Sequence, residues 1–357
     1  MTRTVACLDG LDPDYLAATA TPEWDAIADE GTTGACDGLV PSLTNVNNVG
    51  IVTGRHPAAT GVTANTFLDD GERVYVEDAK FLNCRTVLAD AADEGADVIA
   101  LVAKEKLRRL VGDGGVEAAS AQEPPAWLTD LAGEPPGIYS GEASAWLLDA
   151  AVAVAEARDP DVLYVSTTDV VPHKHTPGEA AAEAWVTALD DGLGRLREFG
   201  PVAAVADHGM NHKDRRVDVE AMLADAGVAA ETVRCIRDRH VYHHQNLGGA
   251  AYVYADDPAA ARTALEGAPG TEVVDRATAC DRFRLDPERV GDLLLLGDER
   301  TVFGPIEEGD DRVDEVDLRS HGSVHERTVP YLASTGERVE ESIEIFSAVG
   351  VRPGDRA

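Results

Sequence analysis

Apolar and polar positions fall into blocks along the chain. Short apolar runs ending in acidic or glycine residues recur between longer stretches with helical spacing. Residues 4–8, 33–40, 97–103, 161–166 and 201–206 read as strands, and the run Asp97-Val98-Ile99-Ala100-Leu101-Val102-Ala103 is apolar enough to be covered on both faces. Residues 22–28, 44–53, 144–158 and 179–199 carry the spacing of helices. Residues 112–137, rich in Gly, Pro and Glu, read as a surface loop. Strands alternating with helices predict an α/β fold with a central, mostly parallel sheet and helices on both faces. Functional groups in such sheets gather at the carboxyl ends of the strands. Asp9, Lys104, Asp169 and Asp207 all fall at such ends.

The pattern changes after residue 212. Residues 249–255, 258–266 and 271–275 suggest a small strand–helix–strand unit, and 292–297 a strand with a hairpin after it. The expected organisation is a core over 1–212, an inserted α+β cap over 213–317 lying on the main sheet, and a return to the core over 318–357.

Composition narrows the function classes. With 357 residues, 44% of them hydrophobic, the chain can bury a sizeable core. A formal charge of -34 repels nucleic-acid phosphates and anionic lipid, so neither is an expected partner. Lysine is confined to Lys80, Lys104, Lys106, Lys174 and Lys213, and an acid-rich, lysine-poor chain suggests adaptation to high salt. Five scattered cysteines without a C-x-x-C pair suit reduced thiols better than disulfides or a cysteine zinc knot. With no signal-peptide pattern and no apolar run of membrane-spanning length, the expected location is the cytoplasm. The expected partner is a small anionic substrate, and a homodimer stays open.

Thr44 lies among Asn45, Asn47 and Asn48, after a Pro41-Ser42 turn and before an apolar run closed by Gly54. A hydroxyl at a helix start can serve as a cap or as a nucleophile beside free N–H groups. Asp169 and His173, at a strand end and four residues on, can converge on one divalent metal. Asp207-His208 gives two adjacent ligands in a tight turn. Nitrogen with carboxylate oxygen suits zinc, with manganese or iron as other options.

Asp9-Gly10, Pro41-Ser42-x-Thr44-Asn45-x-Asn47-Asn48 with Thr53-Gly54, and Gly61-Val62-x-x-Asn65 resemble the alkaline phosphatase superfamily. More narrowly, they resemble its phosphonoacetate hydrolase branch, within the type I phosphodiesterase/nucleotide pyrophosphatase-like proteins. The likeness continues collinearly through Ala103-Lys104-Glu105-Lys106, Ser166-Thr167-Thr168-Asp169, His173-Lys174-His175, Asp207-His208-Gly209 and Arg319-Ser320-His321-Gly322. Gly50 and Thr63-Ala64 depart from the family pattern. The resemblance implies two zinc ions, one held by Asp169, His173 and His325, the other by Asp9, Asp207, His208 and Thr44. It implies Thr44 as a metal-activated nucleophile and Asn65 as a donor to a phosphoryl oxygen.

Lys104 and Lys106 bear on the branch. Alternate residues after a strand point to one side, so both ammonium groups are expected to meet a substrate carboxylate and stabilise an enolate. The implied reaction is cleavage of the carbon–phosphorus bond of phosphonoacetate to acetate and phosphate through a phosphothreonine. The alternatives are a phosphodiesterase, nucleotide pyrophosphatase or phosphomonoesterase with the same metals, and an inactive metal-binding module. His243 and His244, in the cap, are candidates to reach the substrate, whereas His321 receives no role.

Overall fold

The computed structural model describes residues 1–239, 244–307, 311–352 and 354. Its main sheet runs in the order Thr32–Asp37, Thr328–Ala333, Val202–Val205, Arg3–Cys7, Val162–Ser166, Val98–Val102, Glu117–Ser120. Thr328–Ala333 is antiparallel to both its neighbours, and the remaining pairs are parallel. The central strands are buried along their whole length, as their apolar sequences require.

Register decides what these strands deliver. Cys7 pairs with both Val205 and Ser166, and Ser166 pairs with Val102. Four strands therefore end level with one another. The chain leaves them to reach Asp9, Asp207 and Lys104 two residues later, and Asp169 three residues later. That brings the chemistry-bearing side chains to one rim.

The stretch 112–137 is not all loop. It holds the edge strand Glu117–Ser120 and the helix Ala126–Ala132. Paired on one side only, with Val98–Val102, that short strand needs no long apolar run, and the flanking glycines hid it.

A second, antiparallel sheet has the order Ala230–Arg234, Ala250–Ala255, Leu293–Gly297, Thr271–Asp275. The hairpin expected after Leu293–Gly297 does not form. Thr301–Phe303 instead pairs in parallel with Asn211–Val217, which also pairs with Val313–Ser320. Charged side chains along Asn211–Val217 masked that strand in the sequence. The second sheet reaches the Thr44 side of the core through Tyr252 Oη, which donates to Thr63 O at 2.9 Å, and Asn65 N, which donates to Cys235 O at 3.0 Å. Among the described residues, no helix is long and apolar enough to cross a membrane.

Candidate active site

Two buried groups of donors stand on the rim. Asp169, His173 and His321 form one, and Asp9, Asp207 and His208 the other, each with ligand atoms within 4.8 Å of one another. Turns bring these side chains in at close quarters. Gly10 (φ +76°) follows Asp9, and a Cβ there would stand 3.0 Å from Asp169 Cβ. Its N–H donates to Asp207 Oδ1 at 3.1 Å.

The three imidazoles are oriented alike. His173 Nδ1 lies 2.7 Å from Arg319 O, His321 Nδ1 2.7 Å from Ser42 O, and His208 Nδ1 3.0 Å from Gly209 O. A carbonyl only accepts, so each Nδ1 carries a proton, and in the neutral ring each Nε2 offers a lone pair. The Nε2 atoms face carboxylates. His173 Nε2 is 3.0 Å and His321 Nε2 3.8 Å from Asp169 Oδ2, and His208 Nε2 is 3.4 Å from Asp9 Oδ1. With neutral rings, acceptor faces acceptor in a buried site, an arrangement that suits a cation between them. Burial pushes the Asp9 carboxyl well above the usual carboxylate range, and the charges of Asp169 and Asp207 add to this. Asp9 Oδ1, though buried, accepts no hydrogen bond from the described residues. Burial holds His321 far below the usual imidazole range, and His208 and His173 reinforce that. His321 is therefore neutral, as a ligand must be. The donor set fits divalent metal ions.

Thr44 opens the helix Thr44–Thr53, but it is not the cap. Leu43 holds that place, and the Thr44 hydroxyl lies 3.3 Å from His208 Nε2. Asn65 Oδ1 accepts from Asn45 N at 3.4 Å, so its amide sits against the first turn of this helix. Lys104 is buried, with Nζ 3.3 Å from Asp169 Oδ1 and 3.6 Å from Asp9 Oδ2. Burial opposes its charge, but Asp169 and Asp9 outweigh that and raise its pKa.

Residues 5–323 match the model of the type I phosphodiesterase / nucleotide pyrophosphatase family. The chain belongs to this family. It is similar to phosphonoacetate hydrolase from Sinorhizobium meliloti, solved in complex with phosphonoacetate and with phosphonoformate. In each comparison the identity is 30% and the TM-score 0.87, over 98% of this chain and 95% of that one. Murine ectonucleotide pyrophosphatase / phosphodiesterase 5 shares the fold at 16% identity and a TM-score of 0.71, over 100% of this chain and 97% of that one. The chain is therefore an enzyme of the phosphodiesterase/pyrophosphatase kind, close in structure to phosphonoacetate hydrolase.

Within this family member, two sequence expectations are corrected. The resemblance gave His325 to the Asp169 group, but that place is taken by His321. The His325 side chain is 37% exposed and lies 3.6 Å from Glu299. It sits on the short turn Val324–Glu326, where the neighbouring Glu326 points inward. Glu326 accepts from Ser323 N, Asn211 Nδ2 and the fully buried Lys213, at 2.9, 2.8 and 2.7 Å. With Glu326 turned in, His325 points out. A signal for His321 was present: it precedes Gly322 at a strand end, as His208 precedes Gly209.

The second correction concerns the lysines. Lys104 pairs with Asp169 and Asp9, whereas Lys106 pairs with Asp238, whose charge also acts on Lys104, and both lysines line one cavity. Lys104 holds the N-cap position of the helix Glu105–Val111, so Lys106 follows helical rather than strand geometry. Lys174 is exposed, and Lys213 serves the Glu326 turn. Gly50 packs against Leu39 and Ile343, and Thr63 donates to Arg289 O, so both departures from the family pattern have structural surroundings. His244 Nδ1 accepts from Asn246 N, and its ring centroid is 6.0 Å from that of His173. His243 lies outside the described residues.

Proposed function

We propose that this enzyme hydrolyses the carbon–phosphorus bond of phosphonoacetate, giving acetate and phosphate through a phosphorylated Thr44. Lys104 carries the reading: a buried ammonium within 3.6 Å of carboxylates from both donor groups. An ester leaving group takes its negative charge on oxygen. Phosphonoacetate instead expels a carbanion that spreads into its carboxylate, and a fixed cation there lowers the cost. The similarity to a protein solved with phosphonoacetate bound supports the same substrate.

Two divalent ions, zinc on the strength of the nitrogen and carboxylate donors, would be held by Asp169, His173 and His321 and by Asp9, Asp207 and His208. They would supply the positive charge that favours a Thr44 alkoxide and balances the phosphoryl oxygens. Thr44 Oγ1 bonds to phosphorus as the phosphorus–carbon bond breaks, and that electron pair leaves on the carboxymethyl group as an enolate. Lys104 stabilises the enolate, which takes up, by way of water, the proton that the Thr44 hydroxyl loses and becomes acetate. A second water displaces Thr44 from phosphorus and frees phosphate. Asn65 and the first-turn N–H groups of the Thr44 helix hold a phosphoryl oxygen.

The test compares phosphonoacetate with p-nitrophenyl phosphate and bis-p-nitrophenyl phosphate, using zinc-loaded protein in molar potassium chloride. Acetate and phosphate in equal amounts, with strong preference for phosphonoacetate, is the expected result. Preference for the diester would replace this reading with a phosphodiesterase, the activity that gives the family its name. Thr44→Ala should lose at least about 10³-fold in turnover, and retained activity would remove Thr44 as nucleophile.

A further inference from the structure

Arg319 has no place in the chemistry above, yet it touches the loops of both donor groups. Its Nε donates to Pro172 O at 2.7 Å, next to His173 in the first group. Its Nη2 donates to Met210 O at 3.2 Å, just after His208 in the second. Nη2 also donates to Tyr15 Oη at 3.1 Å. Tyr15 Oη in turn donates to His175 O at 2.6 Å, and Tyr15 follows the turn that begins at Asp9. The carbonyl of Arg319 itself accepts from His173 Nδ1, and two residues later the chain places His321.

We infer that Arg319 is a positioning residue that couples the two metal centres, setting the spacing of the Asp169 and Asp207 loops through one guanidinium. Three acceptors in different directions suit a planar fork of five N–H donors, and a lysine ammonium cannot span them at these distances. The two ligand sets are then not independent: releasing the fork loosens both. This inference rests on the two-metal reading above.

The experiment is a zinc-binding isotherm in competition with a chromophoric chelator, on the full chain in molar potassium chloride. The wild type should bind two equivalents, and any other number overturns both the reading and the coupling. Arg319→Ala should weaken both equivalents together by about 10- to 100-fold, the usual effect of losing a group that orients metal ligands. Ethylguanidinium added to that variant should restore both, which a general loss of packing would not allow. Weakening of one equivalent alone, or no rescue, overturns the coupling and leaves the two-metal reading standing. Should Arg319→Ala fail to fold, Arg319→Lys carries the test: it keeps the charge, and unchanged affinity at both equivalents would likewise overturn the coupling.

Discussion

Asn48 holds Asp207 in place. Its Nδ2 donates to Asp207 Oδ2 at 3.0 Å and to Thr44 O at 3.1 Å. Its Oδ1 accepts from Tyr164 Oη and Ser166 Oγ, both at 2.8 Å. All four hydrogen-bonding positions of this buried amide are used, so its orientation is fixed. One residue thus ties the Thr44 helix, the Asp207 carboxylate and the strand Val162–Ser166. Asn48→Ala would take one acceptor from the two buried hydroxyls and the Asn48 donor from Asp207 Oδ2, leaving Asp207 Oδ1 with Gly10 N and His208 N. Destabilisation of about 1–3 kcal/mol by urea unfolding is expected. Zinc affinity measured with a competing chelator should fall about 10- to 100-fold. Unchanged affinity would show that Asp207 does not depend on this amide.

His321 and His325 make opposite predictions. His321 is neutral, buried and turned by Ser42 O to offer Nε2, whereas His325 stands half-exposed beside Glu299. Metal analysis of His321→Ala should show one equivalent lost or greatly weakened, with activity lost too. His325→Ala should keep both equivalents and near-normal turnover. The reverse pattern would return the ligand role to His325.

Lys104 and Lys106 should also separate. Lys104→Met is expected to lower kcat/KM for phosphonoacetate by about 10²- to 10³-fold, the scale for removing one donor from developing charge. Its effect on p-nitrophenyl phosphate should be much smaller. Lys106→Met breaks the pair with Asp238 and with it a tie between the core and the turn after Ala230–Arg234. It should therefore lower activity on the two substrates by similar factors. Equal losses for Lys104→Met on both substrates would count against the enolate role.

The charge of -34 predicts a salt requirement. Carboxylates spread over the surface repel one another, and the Debye length falls from about 10 Å at 0.1 M salt to about 3 Å at 1 M. Thermal midpoints should rise steadily from 0.1 to 2 M potassium chloride. A flat profile would mean that the surface pairs, such as Arg158 with Glu117 and Arg312 with Asp225, already balance the repulsion.

The sequence alone determined the α/β alternation, the strand ends that carry Asp9, Lys104, Asp169 and Asp207, and the helix that starts at Thr44. These are local signals. Apolar runs mark buried strands, and a residue just past a parallel strand must emerge at the sheet's rim. The tertiary structure decided what local pattern cannot encode. It chose His321 over His325, because which histidine faces inward depends on Glu326 closing onto Ser323 in its own turn and onto Asn211 and Lys213 from a distant strand. It gave Lys104 and Lys106 different carboxylate partners, because the chain turns helical between them. It also revealed Asn48 and Arg319 as the groups that hold the loops, since their partners lie far away in sequence and meet only when the sheet is assembled in register.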